Sequence, residues 1–266
     1  MVAPFFHFRE PEVRETYQAC FAGKNRPQQL TTTLHEHREQ IKGALYEFVD
    51  RFNIDILIPE NALTIPLNVP LGMALTEFIA ETGINTIAHH HDFFWERKRF
   101  LVNCVWDYLN ACFPPHLPSM HHVVINSSAG NQLALRTGIS STLIPNVMDF
   151  ESPAPGIDDY NADVRRTLDV AEDELFVLQP TRVVQRKAAL VISHASGDEG
   201  YEYQRRIKEY SEMLGIRAIF VDNIIADERK QTPDGRKVYS LADVYPHADL
   251  VTYPSVFEGF GNAFLE

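Results

Sequence analysis

Hydrophobic residues in this chain come in short runs separated by amphipathic stretches, and the runs fall into two series. From Thr33 the apolar positions Leu34, Ile41, Leu45, Phe48, Val49 and Phe52 recur on one helical face, with Thr33 and Glu36 spaced as a capping box at its start. The β-branched run Ile54 to Ile58 predicts a strand that ends before Asn61, and a proline-bearing loop leads to a helix near Leu71 to Glu81 that Gly83 stops. The next strand, INTIA, runs into His89, His90, His91 and Asp92. A helix over 100–113 ends at prolines, His122 to Asn126 reads as a strand, Ser128 to Thr137 as a helix closed by Gly138, and Thr142 to Ile144 as a strand. The residues before Thr33 carry no strand signal.

The polar stretch from Phe150 to Asn161, with its prolines and glycine, reads as a linker, so the expected domains are 1–148 and 149–266. A second series follows: a strand at Leu175 to Gln179, a helix near Ala188 to Ala195, and a helix carrying Tyr203, Ile207, Tyr210 and Leu214 that Gly215 stops. Then come a strand at Arg217 to Val221, a polar loop from Asp227 to Lys237, a short helix around Leu241 to Tyr245 and an apolar run from Leu250 to Tyr253. Strand–helix–strand rhythm implies parallel βαβ units, whose ligands lie beyond the carboxyl ends of the strands.

Composition narrows the class. A hydrophobic fraction of 45% and a charged fraction of 23% over 266 residues are those of a globular protein with one large or two ordinary domains. A net charge of -12 argues against a nucleic-acid partner, which needs a basic face. No apolar run approaches the roughly 20 residues of a membrane span, and the N-terminus lacks the features of a signal peptide, so a cytoplasmic location is expected. Cys20, Cys104 and Cys112 are odd in number and form no CxxC pair, which suits reduced thiols.

Chemistry-bearing residues gather after the strands. Gly259, Phe260 and Gly261 follow the run 250–253, and Asn262 is placed to cap a helix, so the turn offers backbone N–H groups and a helix N-terminus to an anion. Glu258 and Glu266 frame it with seven residues between them. Arg182 and Lys187 follow the strand 175–179 and stand at the same sheet edge, as cations suited to a pyrophosphate leaving group; Arg186 competes for that role. The cluster HHHDFFWERKRF at 89–100 admits three readings. As a metal site it is poor, because adjacent strand histidines point to alternate faces and no carboxylate or cysteine partner at ligand spacing is evident. It also reads as ordinary core or surface histidines, or as a sugar site in which Trp95 offers a stacking face and Arg97 meets an anionic acceptor or lies on a solvated helix face. No Asp-x-Asp strand end, G-x-S-x-G elbow or P-loop lysine motif is present, and no metal or other cofactor is implied.

The blocks PENALTIPLNVPLG, HHHDFFWERKRF, VVINSSAG, IPNVMDF, QPTRVVQRK and YPSVFEGFGNAFLE occur in the order expected of the retaining, nucleotide-sugar-dependent glycosyltransferases of family 4, which the chain resembles from about Ile54 to Glu266. That resemblance implies an α/β GT-B fold of two Rossmann-like domains and transfer of a hexosyl group to a small-molecule or glycan acceptor with retention at the anomeric carbon. It implies that Arg182 and Lys187 bind the donor pyrophosphate, that Glu258 and the Gly259 to Gly261 amides contact sugar and phosphate, and that Glu266 binds the nucleotide ribose. His91, followed by Asp92, would hold a donor-sugar hydroxyl, with Asn61, Asp92 and Arg97 on the acceptor side. The pattern departs at both ends. Before Gly72 the only glycines are Gly23 and Gly43, neither behind a clear strand, and the chain stops within the first turns of the last helix. An incomplete enzyme, not competent alone and at most binding a nucleotide sugar, is therefore the alternative expectation.

Overall fold

Residues 6–151, 153, 156–182, 191–194, 201–221 and 223–253 are described by a computed structural model, in which the chain divides into two compact units, Met1–Asn146 and Val147–Glu266. The first unit begins with α1 (Pro11–Phe21) and α2 (Gln28–Phe52). Helix α2 starts ahead of the expected capping box, because Gln28, Gln29 and Leu30 are themselves good helix formers. The Thr33 hydroxyl instead donates to the Gln29 carbonyl at 3.2 Å, a bond within the helix.

Helix α3 (Val69–Thr82) has Asn68 as N-cap, whose side chain accepts from the Leu71 N–H, and Gly83 as C-cap at φ 64°. Polar pairs hold α2 against α3 in step: Arg38 with Glu77 at 2.8 Å, Lys42 with Glu81 at 3.0 Å and Tyr46 with Glu81 at 2.8 Å. Thr82 is thus level with the Tyr46 turn. Phe48 and Phe52, expected on the buried face, lie past the end of α3 and are 38% and 49% exposed, whereas Leu34, Ile41 and Leu45 are buried.

Strands β1 (Ile56–Leu57), β2 (Asn85–His90), β3 (Met120–Val124) and β4 (Thr142–Leu143) form a parallel sheet in that order. Between β2 and β3 the expected helix over 100–113 shrinks to α4 (Trp106–Cys112). Asn103 explains the loss: its amide donates to the Phe100 carbonyl at 2.8 Å and accepts from the Val105 N–H at 2.9 Å, a local turn that competes with helix. Helix α5 (Ser127–Thr137) is capped by Asn126 and ended by Gly138 at φ 74°. Ile41, Leu45, Leu75, Phe78, Ile79 and Ala88 form one core cluster, and Cys20, Leu34, Phe100, Leu109 and Phe113 belong to another. Burial pushes the Cys20 thiol up to about 12 and the Cys112 thiol up to about 11, so both stay protonated and inert.

Gly72 is required by this packing. A Cβ at Gly72 would lie 2.2 Å from Cζ of Phe113, inside van der Waals contact. Gly72→Ala is expected to destabilise the unit by about 1–3 kcal/mol through overpacking. Urea denaturation reads this out; an unchanged midpoint would show that the Phe113 ring moves aside at no cost.

The second unit contains α6 (Val164–Thr167), β5 (Val177–Arg182), β6 (Val191–His194), α7 (Glu202–Met213) and β7 (Ile219–Phe220). The expected helix near 188–195 is corrected by β6, which pairs with β5 on one side and β7 on the other. Val191 and Ile192 are β-branched, and a place between two strands outweighs a weak helical pattern. The expected loop 227–237 also carries structure. Strand β8 (Ile225–Ala226) pairs with the second arm of a hairpin, β9 (Lys230–Gln231) and β10 (Lys237–Ser240), which turns at Gly235, φ 81°. Helix α8 (Leu241–Val244) and strand β11 (Leu250–Val251) follow. The main sheet has the order β11-β5-β6-β7 and is parallel throughout. Val164, Leu168, Phe176, Leu178, Val221, Tyr239 and Val244 form its core. Both units are mixed α/β with parallel sheets of four strands, consistent with Rossmann-like architecture. No helix among the described residues is long and apolar enough to cross a membrane.

Candidate functional site

Parallel pairing of β1 with β2 places the residues that follow β1 against the carboxyl end of β2. The chain continues past β1 in extended form, Glu60 bridges to His89, and the Asn61 N–H donates to the His89 carbonyl at 2.8 Å. Asn61 then turns the chain in the left-handed region at φ 56°, which asparagine tolerates better than most residues. Its side chain holds the other half of the site. Oδ1 accepts from the His91 N–H at 3.1 Å and from the Thr64 hydroxyl at 2.7 Å, and Nδ2 donates to Asp92 at 3.1 Å. Asp92 in turn accepts from Arg97 Nε at 2.8 Å.

Asn61, His91, Asp92 and Arg97 therefore come together at one sheet edge. Their arrangement differs from the expectation in one respect: Arg97 is neither turned to an open anion site nor on a solvated helix face, because its guanidinium is paired with Asp92, which is largely buried. The pair braces the 91–97 loop. Trp95 is likewise committed to packing, with its ring stacked on Phe93 at 4.5 Å and 7° and its indole N–H donating to Gln132 at 3.1 Å. It also lines a cavity of about 700 Å³ with Trp106, His116 and Arg136.

Two residues that the sequence reading passed over complete the site. Strand alternation sends His90 inward, where it is fully buried and hydrogen-bonded to His122 at 2.9 Å, and leaves His89 and His91 together on the other face. Both reach Glu60: His89 Nδ1 lies 2.9 Å and His91 Nε2 3.2 Å from Oε2. Burial by itself pushes the Glu60 carboxyl up, but the hydrogen bonds and charges of His89 and His91 more than offset it and hold it below its ordinary value. Alternation removes His90 from a metal set but leaves His89 with His91, and Glu60 supplies the carboxylate that the sequence pattern does not show. The ligand atoms of Glu60, His89 and His91 all lie within 4.8 Å of one another, which corrects the expectation that the cluster is a poor metal site. The His-x-His spacing on a strand was the available signal, while Glu60 needed the β1–β2 register.

In the second unit, Arg182 is the last residue of β5 rather than a loop residue beyond it. The strand order reverses at β5, between β11 and β6, so its carboxyl end is a topological switch point, where open α/β sheets bind ligands. Lys187, Glu258, Gly259, Phe260, Gly261 and Glu266 lie outside the described residues.

No family model matches the chain. It is similar to mannosylglucosylglycerate synthase of Petrotoga mobilis, at 33% identity over a 270-residue alignment that covers 88% of this chain and 61% of that protein. It is also similar to mannosylglucosylglycerate synthase of Thermotoga maritima, at 32% over 268 residues, covering 88% and 58%. The chain is thus a distant homologue of these proteins and spans about six tenths of the length of the curated relatives it matches.

Proposed function

We propose that this chain belongs to a hexosyltransferase of GT-B architecture that moves a sugar from a nucleotide donor to an acceptor hydroxyl with retention at the anomeric carbon. The observation that carries the reading is the similarity, over 88% of the chain, to two proteins named as mannosylglucosylglycerate synthases. Those names join two hexoses to glycerate, so a mannosyl donor and a glycerate-bearing acceptor are the first substrates to offer.

In this reading the domains 1–148 and 149–266 take acceptor and donor respectively. Arg182 and Lys187 neutralise the pyrophosphate as the glycosidic bond breaks, the amides of Gly259, Phe260 and Gly261 add helix N-terminal donors, and Glu258 and Glu266 hold the sugar and the ribose. His91 meets a donor-sugar hydroxyl, with Asn61, Asp92 and Arg97 shaping the acceptor side. Retention by two displacements needs a carboxylate nucleophile under the ring. Transfer on one face, with the departing phosphate taking the acceptor proton, needs none. A soluble location in the cytoplasm completes the reading.

The test is calorimetric titration of the chain with GDP-, UDP- and ADP-hexoses, followed by an assay of nucleotide release with a glycerate glycoside as acceptor. Binding of at least one donor and an axially linked product are expected. Binding of none overturns the reading, while binding without turnover supports the non-catalytic alternative.

A further inference from the structure

Glu60, His89 and His91 form a compact set of ligand atoms at the carboxyl edge of the first sheet, and we infer that they bind a divalent transition-metal ion. Three features support this: the chemistry of the donor set, its geometry and the rigidity of its support.

Two imidazole nitrogens and one carboxylate oxygen suit Zn²⁺, Co²⁺ or Ni²⁺, whereas Mg²⁺ and Ca²⁺ prefer all-oxygen shells. The three ligand atoms already converge. Glu60 Oε2 is 2.9 Å from His89 Nδ1 and 3.2 Å from His91 Nε2, and all three lie within 4.8 Å of one another. Bonds of about 2.0–2.2 Å to a tetrahedral ion put ligand atoms roughly 3.3–3.5 Å apart, so the two Glu60–histidine distances need to open by only a few tenths of an ångström, while the two ring nitrogens, within 4.8 Å of one another, settle to the same spacing. A neutral imidazole can meet the ion through the nitrogen that now faces Glu60, Nδ1 of His89 and Nε2 of His91, in the tautomer that carries its one proton on the other ring nitrogen.

The support is β-sheet on both sides. His89 is in β2, His91 directly follows it, and Glu60 is tied to His89 through the parallel bridge. Asn61 fixes both ends by its backbone N–H to His89 and its side chain to the His91 N–H. The outer side stays open, since the side chains of Glu60 and His91 are 58% and 41% exposed. Three protein ligands with an open position is the arrangement that admits a hydroxyl or carboxylate oxygen from a substrate. If the transferase reading also holds, the sugar hydroxyl assigned to His91 would meet the ion instead of the imidazole. The metal assignment does not depend on that reading, because binding is measurable without any sugar.

The test uses the purified chain, stripped with a chelator and titrated with Zn²⁺ by calorimetry and with Co²⁺ by visible absorption. One equivalent is expected to bind, with ligand-field bands for Co²⁺. His91→Ala and Glu60→Gln are each expected to weaken binding at least tenfold, and His121→Ala, an exposed histidine on β3, to leave it unchanged. Circular dichroism in chelator checks the fold of each variant, and His91→Ala decides alone should Glu60→Gln not fold. Absence of saturable 1:1 binding, or equal affinity in wild type and His91→Ala, overturns the assignment.

Discussion

Alanine at Arg182 or at Lys187 is expected to weaken nucleotide-sugar binding by about 1.5–3 kcal/mol, roughly ten- to a hundred-fold, the range for charge-assisted hydrogen bonds. For Arg182 the expectation rests on backbone topology. It closes β5 at the point where the strand order reverses, so it stands where two neighbouring strands, β5 and β11, deliver their carboxyl ends. For Lys187 it rests on the five-residue interval from Arg182 and on the motif resemblance. The two cations differ in kind. A guanidinium offers a planar fork to phosphate oxygens and an ammonium a point charge, so Arg182→Lys should recover less than half of the binding energy lost in Arg182→Ala. Calorimetry with GDP-, UDP- and ADP-sugars provides the measurement. Affinities unchanged in both alanine variants would remove these residues from the donor site.

The first unit was the more legible in sequence, for reasons visible residue by residue. Gly83 and Gly138 end helices at positive φ, so local chemistry located the C-terminal ends of α3 and α5, whereas their N-caps, Asn68 and Asn126, read in sequence as loop and strand end. Where tertiary context decided, local reading erred. The stretch around Val191 carries too few residues to separate strand from helix, and only its neighbours β5 and β7 make it β6. Asn103 shortened α4 through a side-chain turn that a periodicity count does not register. The site follows the same division. Asn61, His91, Asp92 and Arg97 lie close in sequence to strand ends, but the pairing of Arg97 with Asp92 depends on how the 91–97 loop folds back on itself, and that of Glu60 with two histidines on which strand lies beside which. Histidines at i and i+2 share a face of a strand, so the pairing of His89 with His91 is carried by the sequence itself.

Acidification from pH 7 to pH 5 is expected to cost the first unit about 2 kcal/mol through His122 alone. His122 is buried in β3 against His90, and burial first, then the charges of His116 and His121, push it down from 6.5 to about 4. His90 is moved the same way, chiefly by burial and next by His122, to about 3. Above pH 6.5 both states keep His122 neutral and the stability is complete. As the pH falls below 6.5, the unfolded chain takes up a proton that the folded chain refuses, so stability drains away until about pH 4, where the folded imidazole also titrates. Asparagine at 122 removes the titration while its side-chain amide stands where Nδ1 now meets His90. Urea unfolding at pH 7 and pH 5, in chelator so that no ion at Glu60 intervenes, should therefore show a smaller loss in His122→Asn than in wild type, by about 2 kcal/mol. The comparison cancels the titrating groups remote from His122, Glu96 included, whose carboxyl burial pushes up and whose contribution has the opposite sign. Equal losses in the two proteins would mean that the folded chain admits a proton at His122 near its ordinary pH, through water reaching the interior of the sheet.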